Sequence, residues 1–267
     1  GYAYPFDDGT PFYQYLGDGG AVFNNGSLTL NSATLSGNQA HGDGGGIYNL
    51  DDVTLNNSVI SGNQAGNEGG GIYHYSASGA YATLTLNKST VRDNTAGREG
   101  GGIFAYDGIA SIDRSTISGN TSGRSGGGVY STYESAQLTI TNSTVSGNHA
   151  ATGGGVTVNE AAASLTNSTI SGNGAQDEGG GLFVDYGAAT LTHVTVTDNE
   201  SEDGSGGGIF ARGDNDGRGV VDLHHSVVSG NRAGVGAEIS AYGTDVNGND
   251  HNVLGHAYVN VDQAFYG

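Results

Sequence analysis

The chain has 267 residues, 51 of them glycine, with two prolines and no cysteine, methionine or tryptophan. Glycine in that amount without a three-residue period excludes collagen, and the lack of cysteine excludes disulfide staples and thiolate metal sites. Eight lysines and arginines face 27 aspartates and glutamates, a net charge of −19 that repels phosphate backbones, so nucleic acid is not an expected partner; no apolar run is long enough to span a membrane.

Residues 1–18 form an aromatic-rich N-terminal segment holding Pro5 and Pro11 with Tyr2, Tyr4, Phe6, Phe12, Tyr13 and Tyr15. Proline spoils ladder pairing and aromatic rings bury large areas, so the segment reads as an extended cover over the first repeat. With no initiating Met and no signal-peptide pattern, Gly1 reads as the start of a processed product. Residues 257–267 form a second aromatic tail, with Tyr258, Phe265 and Tyr266.

Between the two, from Gly19 to His256, two phrases return: Ser168-Thr169-Ile170-Ser171-Gly172-Asn173, and Gly179-Gly180-Gly181-Leu182-Phe183. The apolar residue after the glycines falls at Val22, Ile47, Ile72, Ile103, Val129, Val156, Leu182, Ile209 and Ile239, in steps of 25, 25, 31, 26, 27, 26, 27 and 30. A period in this range means stacked units. Within each unit Leu28 and Leu30, Leu84 and Leu86, or Leu138 and Ile140 flank a small polar residue, the alternation of a strand with one buried face. A second alternation comes next with Leu35, Ile60, Val91, Ile117, Val145, Ile170, Val196 and Val228 inward, and a third strand starts at the glycines. Three short strands per coil of about 25 residues describe an all-β, single-stranded, right-handed parallel β-helix of about nine rungs without a capping helix, roughly 40 Å long at ~4.8 Å per rung. The long steps place insertions around residues 76–81 and 213–219, each between a third strand and the next first strand.

The asparagine closing each STISGN phrase falls at Asn38, Asn63, Asn94, Asn120, Asn148, Asn173, Asn199 and Asn231. Stacked in register, such amides bond one another, so all eight are expected buried as a structural ladder at a sharp turn. Glycine precedes six of them, and Asp93 and Asp198 replace it before the other two, which reads as a turn that does not require positive φ.

Gly44-Gly45-Gly46-Ile47-Tyr48-Asn49, the STISGN phrases at Ser115–Asn120 and Ser168–Asn173, and the run Asp250 to His256 resemble the pectin-lyase-like right-handed β-helix repeats of large bacterial surface and secreted proteins. Polymorphic-outer-membrane-protein-like and autotransporter-passenger-like chains are among these. The resemblance implies a secreted or cell-surface structural protein: a scaffold, adhesin or filament subunit assembling through its ends, partnered by itself or by cell-surface and polysaccharide ligands. The alternative it implies is a Ca²⁺-dependent lyase or hydrolase of acidic polysaccharide. In such enzymes carboxylates on a parallel sheet hold Ca²⁺ while an arginine or lysine removes the uronate proton; here Asp185, Arg212 and Asn159 occupy successive rungs.

Three further columns are legible. Tyr48, Tyr73, Phe104, Tyr130, Phe183 and Phe210 fall one position past the inward residue, interrupted by Thr157. Alternation turns these rings outward, where they stabilise the sheet by stacking or present a binding stripe. Asp43, Glu68 and Glu99 precede the glycines with Arg98 and Arg124 interleaved, a possible Ca²⁺ site or a plain solvated turn; no cofactor is required. His193 and His225 fall one rung apart beside His224, a possible metal pair lacking a third ligand.

Overall fold

The computed structural model describes residues 17–76, 82–214, 218–244, 246–249 and 251–255. The aromatic N-terminal segment up to residue 16, the tail from residue 257 and the middle of both insertions lie outside them. Within the described residues the chain winds nine times as a right-handed coil of parallel strands, the hand that twisted strands impose on parallel crossovers.

Each coil supplies one strand to each of three nine-stranded sheets. The first sheet opens with Leu28–Asn31 and Val53–Asn56, the second with Thr34–Ser36 and Val59–Ser61, and the third with Val22–Asn24 and Ile47–Asn49. Between second and third lies a seven-stranded fourth sheet that the sequence reading lacks, opening with Gln39–Ala40 and Gln64–Ala65. Five of its seven strands have only two residues and carry no alternation to read, so rung-to-rung pairing reveals them.

Register holds at every step of the three nine-stranded sheets, while the fourth slips between Ala150 and Thr152. Leu84 pairs with Val53 on one side and Ala110 on the other, and Thr83–Asn87 keeps that register directly after the first insertion. The inward residues form one aliphatic core from Ile47 to Ile239. Burying each such side chain contributes about 1.5–3 kcal/mol.

The corners use left-handed backbone. Before every ladder asparagine φ is positive, from 62° at Gly62 to 81° at Gly230, and Asp93 and Asp198 adopt 57° and 55°. The turn therefore does require positive φ, contrary to the sequence reading. Aspartate satisfies it because its short polar side chain tolerates that region better than most. A second left-handed corner joins first and second sheets, carried by non-glycine residues throughout: Ser32, Asn57, Lys88, Arg114, Asn142, Asn167, His193, His225 and His251.

Candidate functional site

The asparagines build the spine. Asn120 donates its backbone N–H and its Nδ2 to Asn148 Oδ1, both at 2.9 Å, and Asn148 does the same to Asn173 at 3.0 and 2.9 Å. Each Nδ2 also reaches a main-chain carbonyl, Val91 for Asn120 and Ile117 for Asn148. Seven of the eight are buried; Asn38 in the first coil is only half-buried, unlike the expectation for it. The third glycine of each triplet makes room: a Cβ on Gly102 would sit 3.0 Å from Asn120 Cγ and 2.6 Å from the Gly128 carbonyl.

In the last coil that glycine is Glu238. Its carboxylate enters the space a further asparagine would fill, accepting from Asn231 Nδ2 at 2.7 Å, Asn231 N at 3.3 Å and Gly230 N at 3.0 Å. Glu238 thus ends the ladder with a group that only accepts.

A serine ladder, unseen in the sequence reading, runs beside the other left-handed corner. Ser58 N donates to Ser89 Oγ at 3.1 Å, Ser89 N to Ser115 Oγ at 3.0 Å and Ser115 N to Ser143 Oγ at 3.0 Å, while Asn252 Oδ1 takes the serine's place for Ser226 N at 2.8 Å. Its signal was the serine two places before six of the eight second-strand apolar residues (Ala33 and Val194 stand before the other two), which looks like ordinary turn chemistry until the coils are stacked.

The candidate catalytic set comes only partly together. Asp185 and Arg212 face each other in register and form a bidentate pair, Arg212 Nε to Oδ1 and Nη2 to Oδ2, both 2.7 Å. Asp185 is 8% exposed rather than on a solvated face. The guanidinium also lies 5.5 Å from the Phe183 ring centroid and 5.9 Å from that of Tyr186. Hydrogen bonding to Asp185 raises the Arg212 pKa further, which holds its proton in place instead of withdrawing it. Asn159 sits in the coil before Asp185, within reach of the Tyr130 hydroxyl. Both Asp185 oxygens are thus occupied, and Arg212 is poorly disposed to act as a base.

The aromatic column requires a correction. Tyr48, Tyr73, Phe104 and Tyr130 stack face to face with centroids 4.7 to 5.4 Å apart, and planes within 14°. Phe183 and Phe210 make a separate tilted pair beyond the gap at Thr157. The rings do point away from the core, but the glycine turn folds over them: a Cβ on Gly100 would meet Phe104 Cβ at 2.7 Å. Phe183 is 4% exposed and Phe210 6%, against 39% for Phe23 at the first coil. Tyr48, Phe104, Phe183 and Phe210 are buried and Tyr73 and Tyr130 half-buried, so the column is mostly closed on itself rather than an open stripe. More open rings lie further along, Tyr75 and Tyr106 two positions on and Tyr133 three, in a tilted file at 5.2 and 5.0 Å.

The acidic column begins one coil earlier than expected. Asp18 Oδ1 accepts from Asp43 N at 2.9 Å, and Asp43 Oδ1 from Glu68 N at 3.0 Å. Burial pushes Asp18 up to about 6, and burial with the charges of Asp43 and Glu99 pushes Glu68 up to about 7; burial also raises Asp43. Arg98 approaches Glu68 at 3.9 Å and Arg124 approaches Glu99 at 3.7 Å, partly offsetting the repulsion. His193 and His225 stack at 5.1 Å, and His251 extends the file at 5.8 Å. Among the described residues no group of three or more His, Asp or Glu is arranged to hold a metal ion.

Residues 32–50 and 57–75 each match the Chlamydia polymorphic membrane protein repeat. No curated protein and no solved structure gives a match. Residues 98–251, more than half of the chain, match the right handed beta helix region, and with that span wound as described the chain belongs to the right-handed β-helix family.

Proposed function

We propose that this chain is a cell-surface scaffold of adhesin type, a stiff rod whose sides engage partners. The observation that carries the reading is how its polar groups are used. The asparagine ladder runs unbroken from Asn38 to Asn231, and the pair best placed for catalysis, Asp185 with Arg212, is spent on itself. Similarity to repeats of polymorphic membrane proteins supports the location. Among the described residues no helix is long and apolar enough to cross a membrane.

The test is retention of purified, labelled protein on intact cells, run beside incubation with acidic polysaccharides and Ca²⁺. Saturable retention without unsaturated sugar products is the expected outcome. Release of such products, lost on Asp185→Ala, would replace the scaffold with a lyase.

Assembly of filaments through the ends has one observation in its favour, the exposed Tyr242, Val253 and Leu254 at the last coil. Against it stands the polarity of the ladder. Each amide oxygen faces the preceding coil, so a head-to-tail joint would bring the Glu238 carboxylate against the oxygen of Asn38, acceptor to acceptor. Glu238→Gly restores a donor end, and electron microscopy should show short single rods for the natural chain and longer ones for the variant.

A further inference from the structure

The chain binds one of its own cations in a way that points to where it binds a foreign one. At Arg212 a guanidinium is gripped by a carboxylate and lies against two rings, Phe183 and Tyr186. The strand register puts Tyr75, Tyr106, Thr132 and Asn159 in the matching column of earlier coils. One position further along come Asp107, Tyr133 and Glu160, all in left-handed backbone like Tyr186. Rings and carboxylates therefore recur there. The cation there is held only loosely: Arg218 pairs with Glu134 at 3.9 Å, with both side chains more than half exposed, where an incoming guanidinium can displace it.

Two extra residues open this place. From the inward residue after the glycines to the start of the next first-sheet strand is six positions at Ile103 to Ile109 and at Val156 to Ala162, but eight at Val129 to Gln137. The surplus forms a turn closed by Ala136 N donating to the Tyr133 carbonyl at 2.9 Å. It lifts Tyr133, at φ 95°, to 45% exposure. The turn walls a shallow groove of about 310 Å³ along the first sheet, lined by Glu134, Gln137, Thr139 and Ser164 around the small Ala162. Tyr133 is tilted 32° from Tyr106 and ends the file, so its far face looks toward the coil that carries Glu160. A planar cation on that face gains from the ring quadrupole and from flanking carboxylates.

We infer that the open face of Tyr133, between Glu134 and Glu160, receives an arginine side chain of a partner protein, with the groove taking the neighbouring residues. Charge decides the class of occupant: a surface of net charge −19 attracts a basic segment and repels an acidic one. The inference rests on the reading of the rod as a surface scaffold that engages partners, and names the partner's chemistry.

The probe is a hexa-arginine peptide titrated into the full chain at physiological salt, with hexa-lysine for comparison. Tyr133→Gly removes the ring at a backbone conformation glycine prefers, and Glu134→Gln with Glu160→Gln removes the charges. Each should weaken hexa-arginine at least tenfold. Hexa-lysine should bind more weakly than hexa-arginine to the natural chain, and Glu202→Gln with Asp203→Asn should change nothing. No binding, equal loss in the control variant, or saturable binding of a neutral oligosaccharide in place of the peptide would each overturn the assignment. Retention on cells separates the two readings. Retention that persists in Tyr133→Gly sinks this surface and leaves the scaffold, whereas no retention of the natural chain sinks the adhesin reading itself.

Discussion

Replacing Asn148 by alanine tests the ladder where it is most enclosed. Asn148 is fully buried, and its Oδ1 is the acceptor for both Asn120 N and Asn120 Nδ2. Its Nδ2 serves the Ile117 carbonyl and Asn173 Oδ1. The substitution leaves the Asn120 N–H and one Asn120 Nδ2 hydrogen without partners in a place water does not reach, while the other Nδ2 hydrogen keeps its bond to Val91. At about 1–3 kcal/mol for each orphaned buried group, the loss is roughly 3–5 kcal/mol. Asn38→Ala is the control: Asn38 is half-buried and gives up one side-chain bond, to Asn63 Oδ1 at 2.8 Å, for about 1 kcal/mol. Urea unfolding followed by far-UV circular dichroism reads both, and amide exchange reports whether the loss centres on the middle coils. Equal losses in the two variants would refute the claim that the buried amide file, rather than the aliphatic core alone, holds the coils in register.

Gly102→Ala forces a Cβ against Asn120 and the Gly128 carbonyl and should cost about 3 kcal/mol or more, whereas Gly172→Ala meets nothing within 4 Å and costs about 1 kcal/mol for its φ of 62°; similar melting temperatures would show that the glycine triplet is not a packing requirement. Asp18, Asp43 and Glu68 have raised pKa values in the folded chain, with Asp18 near 6 and Glu68 near 7. Between the ordinary carboxylate range near 4 and those values the folded state binds more protons than the unfolded one, so stability falls as pH rises through that window. Thermal unfolding from pH 5 to 8 should show the fall and Glu68→Gln should flatten it; stability that instead climbs with pH would count against the buried column. Arg212→Ala strands the Asp185 carboxylate and should cost about 2–4 kcal/mol, discounted because the arginine is partly exposed. Arg212→Lys should recover only part of that in the same unfolding assay, since an ammonium cannot make the paired contact.

The coil was legible because stacking turns residues one period apart into neighbours. Leu84 and Ala110, or Asn94 and Asn120, recur in sequence because they touch in space, so repetition is itself a record of contact. That logic reads the inward files and the asparagine file directly. It does not reach the fourth sheet, most of whose strands are two residues long and repeat nothing but a small residue such as Ala40 or Ala65. The serine ladder escaped for a related reason: a serine at a turn is common enough to pass without a tertiary explanation. For the candidate site, the register of Asp185 with Arg212 was legible, but their bidentate closure was not. Glu238 carried no signal at all, since its role exists only because, among the described residues, no further asparagine stacks on Asn231.

By itself the amino-acid order determined the number of coils, the direction each alternating side chain faces and the places where insertions leave the rod. Those features come from local geometry repeated at a fixed spacing. Only the folded chain decided what the outward residues meet. Phe104 and Phe183 point away from the core yet lie under a glycine turn, while Tyr133 stands open because two extra residues lift it. Solvent exposure depends on the backbone passing overhead, and in a coiled chain that backbone belongs to a different part of the sequence.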